Sequence, residues 1–205
     1  MTATDATFWD RIAPKYASDP IRNMASYEES LARTAAHLSP DDRVLEIGCG
    51  TGTTALRLAP NVASYHATDI SPGMIEIARA RAAETPVPGL RFEARDTLAA
   101  LGAMRGLDAV LAFNLLHLVR SLDETLAATR DSLRPGGLFI SKTPSLAGLH
   151  FRLLIPLMRA IGKAPYVRMR SADWIRRRIE AAGFRVVEAG HHAGDKRLYL
   201  VAERV

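Results

Sequence analysis

The sequence predicts an α/β protein built on a doubly wound, mostly parallel sheet. Three observations carry that expectation. From Arg43 onward, short apolar runs alternate with helix-patterned runs, the mark of βαβ units with helices on both faces. Gly48, Gly50 and Gly52 fall at alternate positions between the first such strand and a helix, where an open α/β sheet receives its ligand. The strands in "GFRVVEAG" and "KRLYLVAE" are joined by too few residues for a crossover helix, so that pair must be antiparallel.

The elements follow in order. Trp9, Ile12, Ala13 and Tyr16 share one face of a first helix. In a second, Asp19 can cap and Pro20 can take the first helical position, ahead of an apolar stripe of Ile21, Met24, Tyr27, Leu31 and Leu38. Strands are expected at 43–48, 64–69, 90–95, 107–113, 137–142, 184–189 and 197–203. Helices are expected at 53–59, 72–83, 121–133 and 171–182.

The 205 residues fit one domain with a full core. "MTATDATFWD" has no apolar signal core, and the run "LLIPLM" is too short to span a bilayer, so the protein is expected in the cytoplasm. A single cysteine, Cys49, allows neither an internal disulfide nor a cysteine-based metal cluster. Charge is uneven: residues 1–102 hold 10 Lys/Arg against 13 Asp/Glu, and residues 103–205 hold 17 against 9. Within 145–178, eight basic residues face Asp173 alone, which fits either an anionic partner or a solvated face.

The glycine loop closes an apolar strand (Val44, Leu45, Ile47) and leads into a helix whose N-terminus offers free N–H groups. Its spacing is G-x-G-x-G with Thr53 next, unlike the dinucleotide pattern. Asp69 ends the second strand, where a carboxylate can accept from two ribose hydroxyls. Asp96 ends the third, where it can accept from an exocyclic amine such as adenine's. Ile70 and Met74 can wall the ring.

With "EIGCGTG" (46–52), Asp69, "RDT" (95–97), "FNLLHL" (113–118) and "LRPGGLF" (133–139) in order, the chain resembles the class I S-adenosylmethionine-dependent methyltransferases over roughly residues 43–142. The head "FWDRIAPKYA" (8–17) looks like the lid of the small-molecule branch that includes quinone-biosynthesis enzymes. The resemblance implies a Rossmann-like sheet of order 3-2-1-4-5-7-6, S-adenosylmethionine as cofactor and S-adenosylhomocysteine as product. It implies a lid over 1–40, a cofactor-binding core over 41–142, a cap insertion over 143–170, and a closing helix and hairpin over 171–205. It also places Gly48, Cys49 and Gly50 of the Gly48–Gly52 loop against the methionine moiety, with Glu46 orienting that loop from below. Asp69 then holds the ribose, Ile70 packs on adenine, Asp96 and Thr97 meet its amine, and Asn114 contributes after strand four. "RPGG" (134–137) is the turn into strand five.

Plainer readings stand beside these. Asp69 and Asp96 can cap the helices that follow them, and Cys49 suits a small buried residue better than a nucleophile. Methyl transfer from a sulfonium is an in-line displacement that needs alignment and exclusion of water, with a base only where the acceptor must lose a proton. His117, just past strand four, is the candidate base, with a structural histidine as the alternative, and His150 is a weaker candidate. Tyr16 can close over the cofactor, touch the acceptor, or pack the first helix. No spacing among the six histidines and the carboxylates suggests a metal.

In 143–170, Leu153, Leu154, Leu157, Met158 and Ile161 fall on one helical face and Arg152, Arg159 and Lys163 on another, with a bend or start at Pro156. Such a helix caps a pocket, or meets an anionic membrane surface. Both favour a small apolar or amphipathic acceptor: a quinone precursor, a phenol or a lipid. A nucleic-acid methyltransferase, suggested by the pI of 9.7 and "IRRRIE", is disfavoured. "NLLH" stands where base-amine enzymes carry Asn/Asp-Pro-Pro-aromatic, and Cys49 is badly placed to attack a pyrimidine. The glycine spacing disfavours a nicotinamide-dependent reductase. A cofactor-binding protein without catalysis stays open, and so does the oligomeric state.

Overall fold

The computed structural model describes residues 3–146, 148–162 and 164–205, without the side chains of 3 and 149–153. His150, Arg152, Leu153 and Lys163, which the sequence analysis placed on the cap, therefore lie outside the described residues or side chains.

Seven strands form one sheet in the order β3-β2-β1-β4-β5-β7-β6. They are β1 (Arg43–Ile47), β2 (Ser64–Asp69), β3 (Leu90–Ala94), β4 (Leu107–Phe113), β5 (Leu133–Pro144), β6 (Phe184–Gly190) and β7 (Arg197–Arg204). β1 to β5 pair parallel, and β7 pairs antiparallel with both β5 and β6. Alternation along each strand builds two cores. Leu45, Val110, Phe139 and Leu200 face one side, and their neighbours Val44, Leu111, Ile140 and Tyr199 the other. Helices α5 (Thr97–Gly102), α6 (Leu122–Ser132) and α8 (Ala172–Ala181) contribute Leu101, Leu126 and Ile179 to the first core. Helices α2 (Met24–Ala36), α3 (Thr53–Leu58) and α4 (Pro72–Glu84) contribute Leu31, Leu58 and Ile75 to the second. Burial on both faces is why the parallel strands read as near-continuous apolar runs.

Helix α1 (Ala3–Ser18) is fastened along its length, and its Arg11 Nη2 also donates to Gly162 O at 2.5 Å. Arg120 donates to both oxygens of the buried Asp5 at 3.0 and 3.1 Å. Asp10 Oδ1 accepts from Ser71 Oγ at 2.6 Å and from the Gly73 N–H at 2.9 Å. At the far end, Arg81 on α4 donates to Ala17 O at 2.9 Å and to Thr51 Oγ1 at 2.9 Å.

Three local expectations are corrected. The second helix starts at Met24, not at Pro20: Asn23 Oδ1 accepts from the Ser26 N–H at 2.9 Å and caps it, while Asp19 pairs with Lys15. "RPGG" is not a turn ahead of strand five but lies inside β5, where the register opposite Leu107 and Ala109 slips. Helix α7 (Leu149–Ala160) starts at Leu149 and carries Pro156 internally. No described residue of 143–170 lines the main cavity; Leu154, Leu157 and Ile161 are at least half exposed.

Candidate active site

The site lies outside the carboxyl ends of the parallel strands, where the order reverses between β1 and β4 and the crossovers leave on opposite faces. The loop after β1 is hung from β2: Thr68 O accepts from the N–H groups of Gly48 at 2.7 Å and Cys49 at 3.0 Å. All three glycines have positive φ, and their surroundings divide them into two kinds. A Cβ at Gly48 would meet Leu115 at 2.7 Å, and one at Gly52 would meet Phe92 at 2.8 Å. A Cβ at Gly50 would meet only Tyr16 Cε1, at an ordinary contact distance of 3.7 Å. Gly48 and Gly52 are thus packed, and Gly50 is bare toward a ligand.

Gly50 and Tyr16 line a cavity of about 510 Å³, within the range of small-molecule sites. Of the residues chosen from sequence, Tyr16, Glu46, Gly48, Cys49, Gly50, Asp69, Ile70, Met74, Thr97 and Asn114 line it. Gly52, Asp96 and His117 do not. Asp69 Oδ2 accepts from the Gly50 N–H at 3.0 Å and Oδ1 from the Ser71 N–H at 2.9 Å. Burial raises its pKa while those N–H groups oppose the rise. Each oxygen keeps a lone pair for a further donor. Glu46 is buried, accepts from Tyr65 Oη at 2.9 Å, and has its pKa raised by burial to about 7. Its side-chain partner is therefore a tyrosine of β2, and the loop itself hangs from Thr68. Burial pushes the Cys49 thiol well above its ordinary pKa, which removes it as a nucleophile.

Asp96 Oδ1 caps α5 by accepting from the Leu98 N–H at 2.9 Å and the Ala99 N–H at 3.5 Å. His117 sits in a short 3-10 turn, its Nδ1 buried without a partner among the described residues. Burial, helped by the charge of Arg197, pushes its pKa down to about 4. Asn114, just past β4, is held at φ 54 with its N–H on Lys142 O at 2.8 Å.

Sequence reasoning missed the other end of the cavity. Lys142 near the end of β5 and Arg197 at the start of β7 both line it. The buried Lys142 Nζ donates to Ser26 Oγ at 2.7 Å and Ser30 Oγ at 2.8 Å, and lies 3.2 Å from Asp195 Oδ2. Arg197 Nε lies 2.9 Å from the same Asp195 oxygen, and its Nη1 donates to Asn114 Oδ1 at 3.2 Å. The signals were a lysine closing the apolar run "LFIS" and an arginine opening a strand. Because β7 is antiparallel, its first residue reaches the same edge as the last residues of β4 and β5.

The arrangement fits a nucleoside donor: a bare backbone at Gly50, a carboxylate with spare lone pairs at Asp69, and apolar walls at Ile70 and Met74. Comparison with known proteins agrees. Residues 45–139 match the family described as a methyltransferase domain. A highly reducing polyketide synthase of Emericella nidulans, easB, is 31% identical over 182 residues, which is 80% of this chain and 7% of that protein. The chain spans only 3–7% of the length of such curated synthase relatives. Among solved structures, the [4+2]-cyclase SpnF gives a TM-score of 0.78 at 18% identity, covering 97% of this chain and 94% of that one. Magnesium protoporphyrin IX methyltransferase (ChlM) from Synechocystis PCC 6803, solved with bound S-adenosylhomocysteine, gives 0.69 at 19% identity over 99% and 95%. The chain therefore carries a methyltransferase domain, matched over residues 45–139, on a seven-stranded sheet of the Rossmann-like fold.

Proposed function

We propose that the chain transfers a methyl group to a small amphipathic acceptor seated over Asn114, beside the glycine loop. The observation that carries this reading is the single cavity running from Gly50 and Asp69 to Phe113, Asn114 and Arg197. The donor supplies an electrophilic methyl on a sulfonium. Asp69 takes the ribose hydroxyls, Ile70 and Met74 flank the base, and Thr97 lies beside it. Asp96 supports that corner from outside, as the cap of α5. Tyr16, with Trp9, covers the mouth and excludes water. His117 is neutral at pH 7 but a weak base and stands outside the cavity, so the reaction favours an acceptor that is already nucleophilic or that loses its proton elsewhere. The likeness to polyketide synthases supports a polyketide among amphipathic acceptors; the quinone-precursor reading rests on residues 8–17 alone.

A second contact, with an anionic membrane, is supported by the exposed Leu154, Leu157 and Ile161 beside a basic stretch. No described helix is long and apolar enough to cross a membrane. A nucleic-acid partner has less support, since much of that basic stretch is engaged: Arg168 donates to Val119 O, Arg178 pairs with Asp123, and Arg176 pairs with Glu180.

The test is transfer of radiolabelled methyl from S-adenosylmethionine into cell extract, separated into organic, aqueous and RNA fractions. Label in the organic fraction is expected. Label in RNA overturns the acceptor class, and tight S-adenosylhomocysteine binding without any transfer overturns catalysis.

A further inference from the structure

Charged side chains line both ends of the cavity: Glu46, Asp69 and Arg81 by the glycine loop, and Lys142 and Arg197 at the far end, with Asp19 and Arg22 also in the lining. One carboxylate, Asp195, lies against both cations, at 3.2 Å from Lys142 and 2.9 Å from Arg197. Two positive groups against one negative leave a unit of positive charge at this end.

The two cations differ in what they can still bind. Lys142 Nζ is surrounded by Ser26 O, Ser26 Oγ, Ser30 Oγ and Asp195, so its donors are spent and only its field reaches the cavity. Arg197 is one-third exposed, and its Nη2 donates to no described residue. Asp195 on Nε and Asn114 on Nη1 fix the plane of the guanidinium, which lines the cavity and keeps the donors of Nη2 unused among the described residues. A fixed guanidinium N–H in a partly desolvated site is suited to a carboxylate oxygen.

We propose that Arg197, oriented by Asp195 and Asn114 and backed by the charge of Lys142, is a specificity subsite for a carboxylate on the methyl acceptor. This rests on the methyltransferase reading and narrows it to an acceptor with an apolar body and one anionic end. The donor's own carboxylate has the same chemistry, but the sheet separates the two positions. Asp69 is on β2 and Asn114 follows β4, two strand spacings away across β1, or ~10 Å, and Arg197 lies beyond Asn114. A donor anchored at Asp69 and Gly50 presents its methyl toward Asn114, with Arg197 on the acceptor's side.

The test is calorimetry on the protein loaded with S-adenosylhomocysteine. The probes are matched carboxylate and primary-amide pairs: octanoate and octanamide, phenylacetate and phenylacetamide, 4-hydroxybenzoate and 4-hydroxybenzamide. At least one carboxylate is expected to bind ~10–100-fold tighter than its amide, the range for a hydrogen bond to a charged group. Arg197→Gln should abolish that preference and leave S-adenosylhomocysteine affinity within about threefold, and Arg197→Lys should restore part of it. Asn114→Asp neutralises the guanidinium in place, so it should abolish the preference even if Arg197→Gln folds poorly. The proposal is overturned if no pair shows a carboxylate preference, or if the preference survives both variants. It is also overturned if Arg197→Gln weakens S-adenosylhomocysteine tenfold, which gives the cation to the donor. Failure of the wild-type protein to bind S-adenosylhomocysteine overturns the methyltransferase reading, and this subsite with it.

Discussion

Replacing Glu46 with glutamine should make the unliganded protein more stable at alkaline pH. Glu46 is buried under the glycine loop, with Tyr65 Oη as its hydrogen-bond donor. Burial favours the protonated acid and lifts its pKa from 4.5 to about 7. A carboxyl raised in the fold lends stability that is complete below pH 4.5 and lost as pH climbs through 7. At ~1.4 kcal/mol per pH unit, the gap between 4.5 and about 7 corresponds to a loss of ~3 kcal/mol. Glutamine keeps the acceptor for Tyr65 and has no proton to lose. His117 works the other way: held near 4, it lends stability above its ordinary 6.5 that disappears as pH falls through about 4. The two slopes oppose each other between 4.5 and 6.5, so the wild-type profile alone is uninformative. The difference between variant and wild type cancels the histidine. Urea unfolding at pH 4 to 8.5, extrapolated to water, should show Glu46→Gln gaining ~3 kcal/mol on the wild type across that range. A difference that varies by less than ~1 kcal/mol would refute the burial argument, because the carboxyl would then titrate as if solvated.

Three further outcomes are expected. Asp69→Asn should weaken S-adenosylhomocysteine by ~1–3 kcal/mol in calorimetry, and an unchanged affinity removes Asp69 from the ribose. Gly50→Val should abolish that binding, through a strained φ of 54 and a side chain in the cavity. Gly52→Ala, which meets Phe92 and Ala78, should instead cost ~1–3 kcal/mol of stability, as overpacking does; the reverse pattern would undo the separate roles given to the glycines. His117→Gln should leave turnover within about twofold and shift only acid stability, whereas a hundredfold fall in turnover with normal cofactor affinity would make it the base.

The donor half of the site was legible because it is local. Gly48 to Gly52, Asp69 to Met74 and Thr97 each sit where a strand ends, and strand ends can be read from where apolar alternation stops. The far half is not local. Lys142, Asp195 and Arg197 meet through an ion pair between different strands and loops, sealed by two serines of α2. No periodicity marks such a meeting. Asp96 shows another limit: a carboxylate after a strand can face a ligand, cap the next helix or do both, and the sequence does not tell that its Oδ1 turns to Leu98. The start of α2 was misread for a similar reason. Asp19 and Asn23 are both good caps, and only Asn23 is placed to reach a free N–H.

The fastenings of α1 bear on how fast the cavity can exchange its contents. Asp5 and Asp10 anchor the first half of the helix, while among the described residues Arg81 ties its last turn, gripping Ala17 and Thr51 at once. Passage of a ligand past Tyr16 then requires letting go of one arginine, with the rest of the helix left docked. Such a fray belongs to the nanosecond-to-microsecond range of terminal and loop motions rather than to the slower range of local unfolding. The same arginine touches the turn that cradles the ligand, so an occupied site and a quiet helix end are parts of one event.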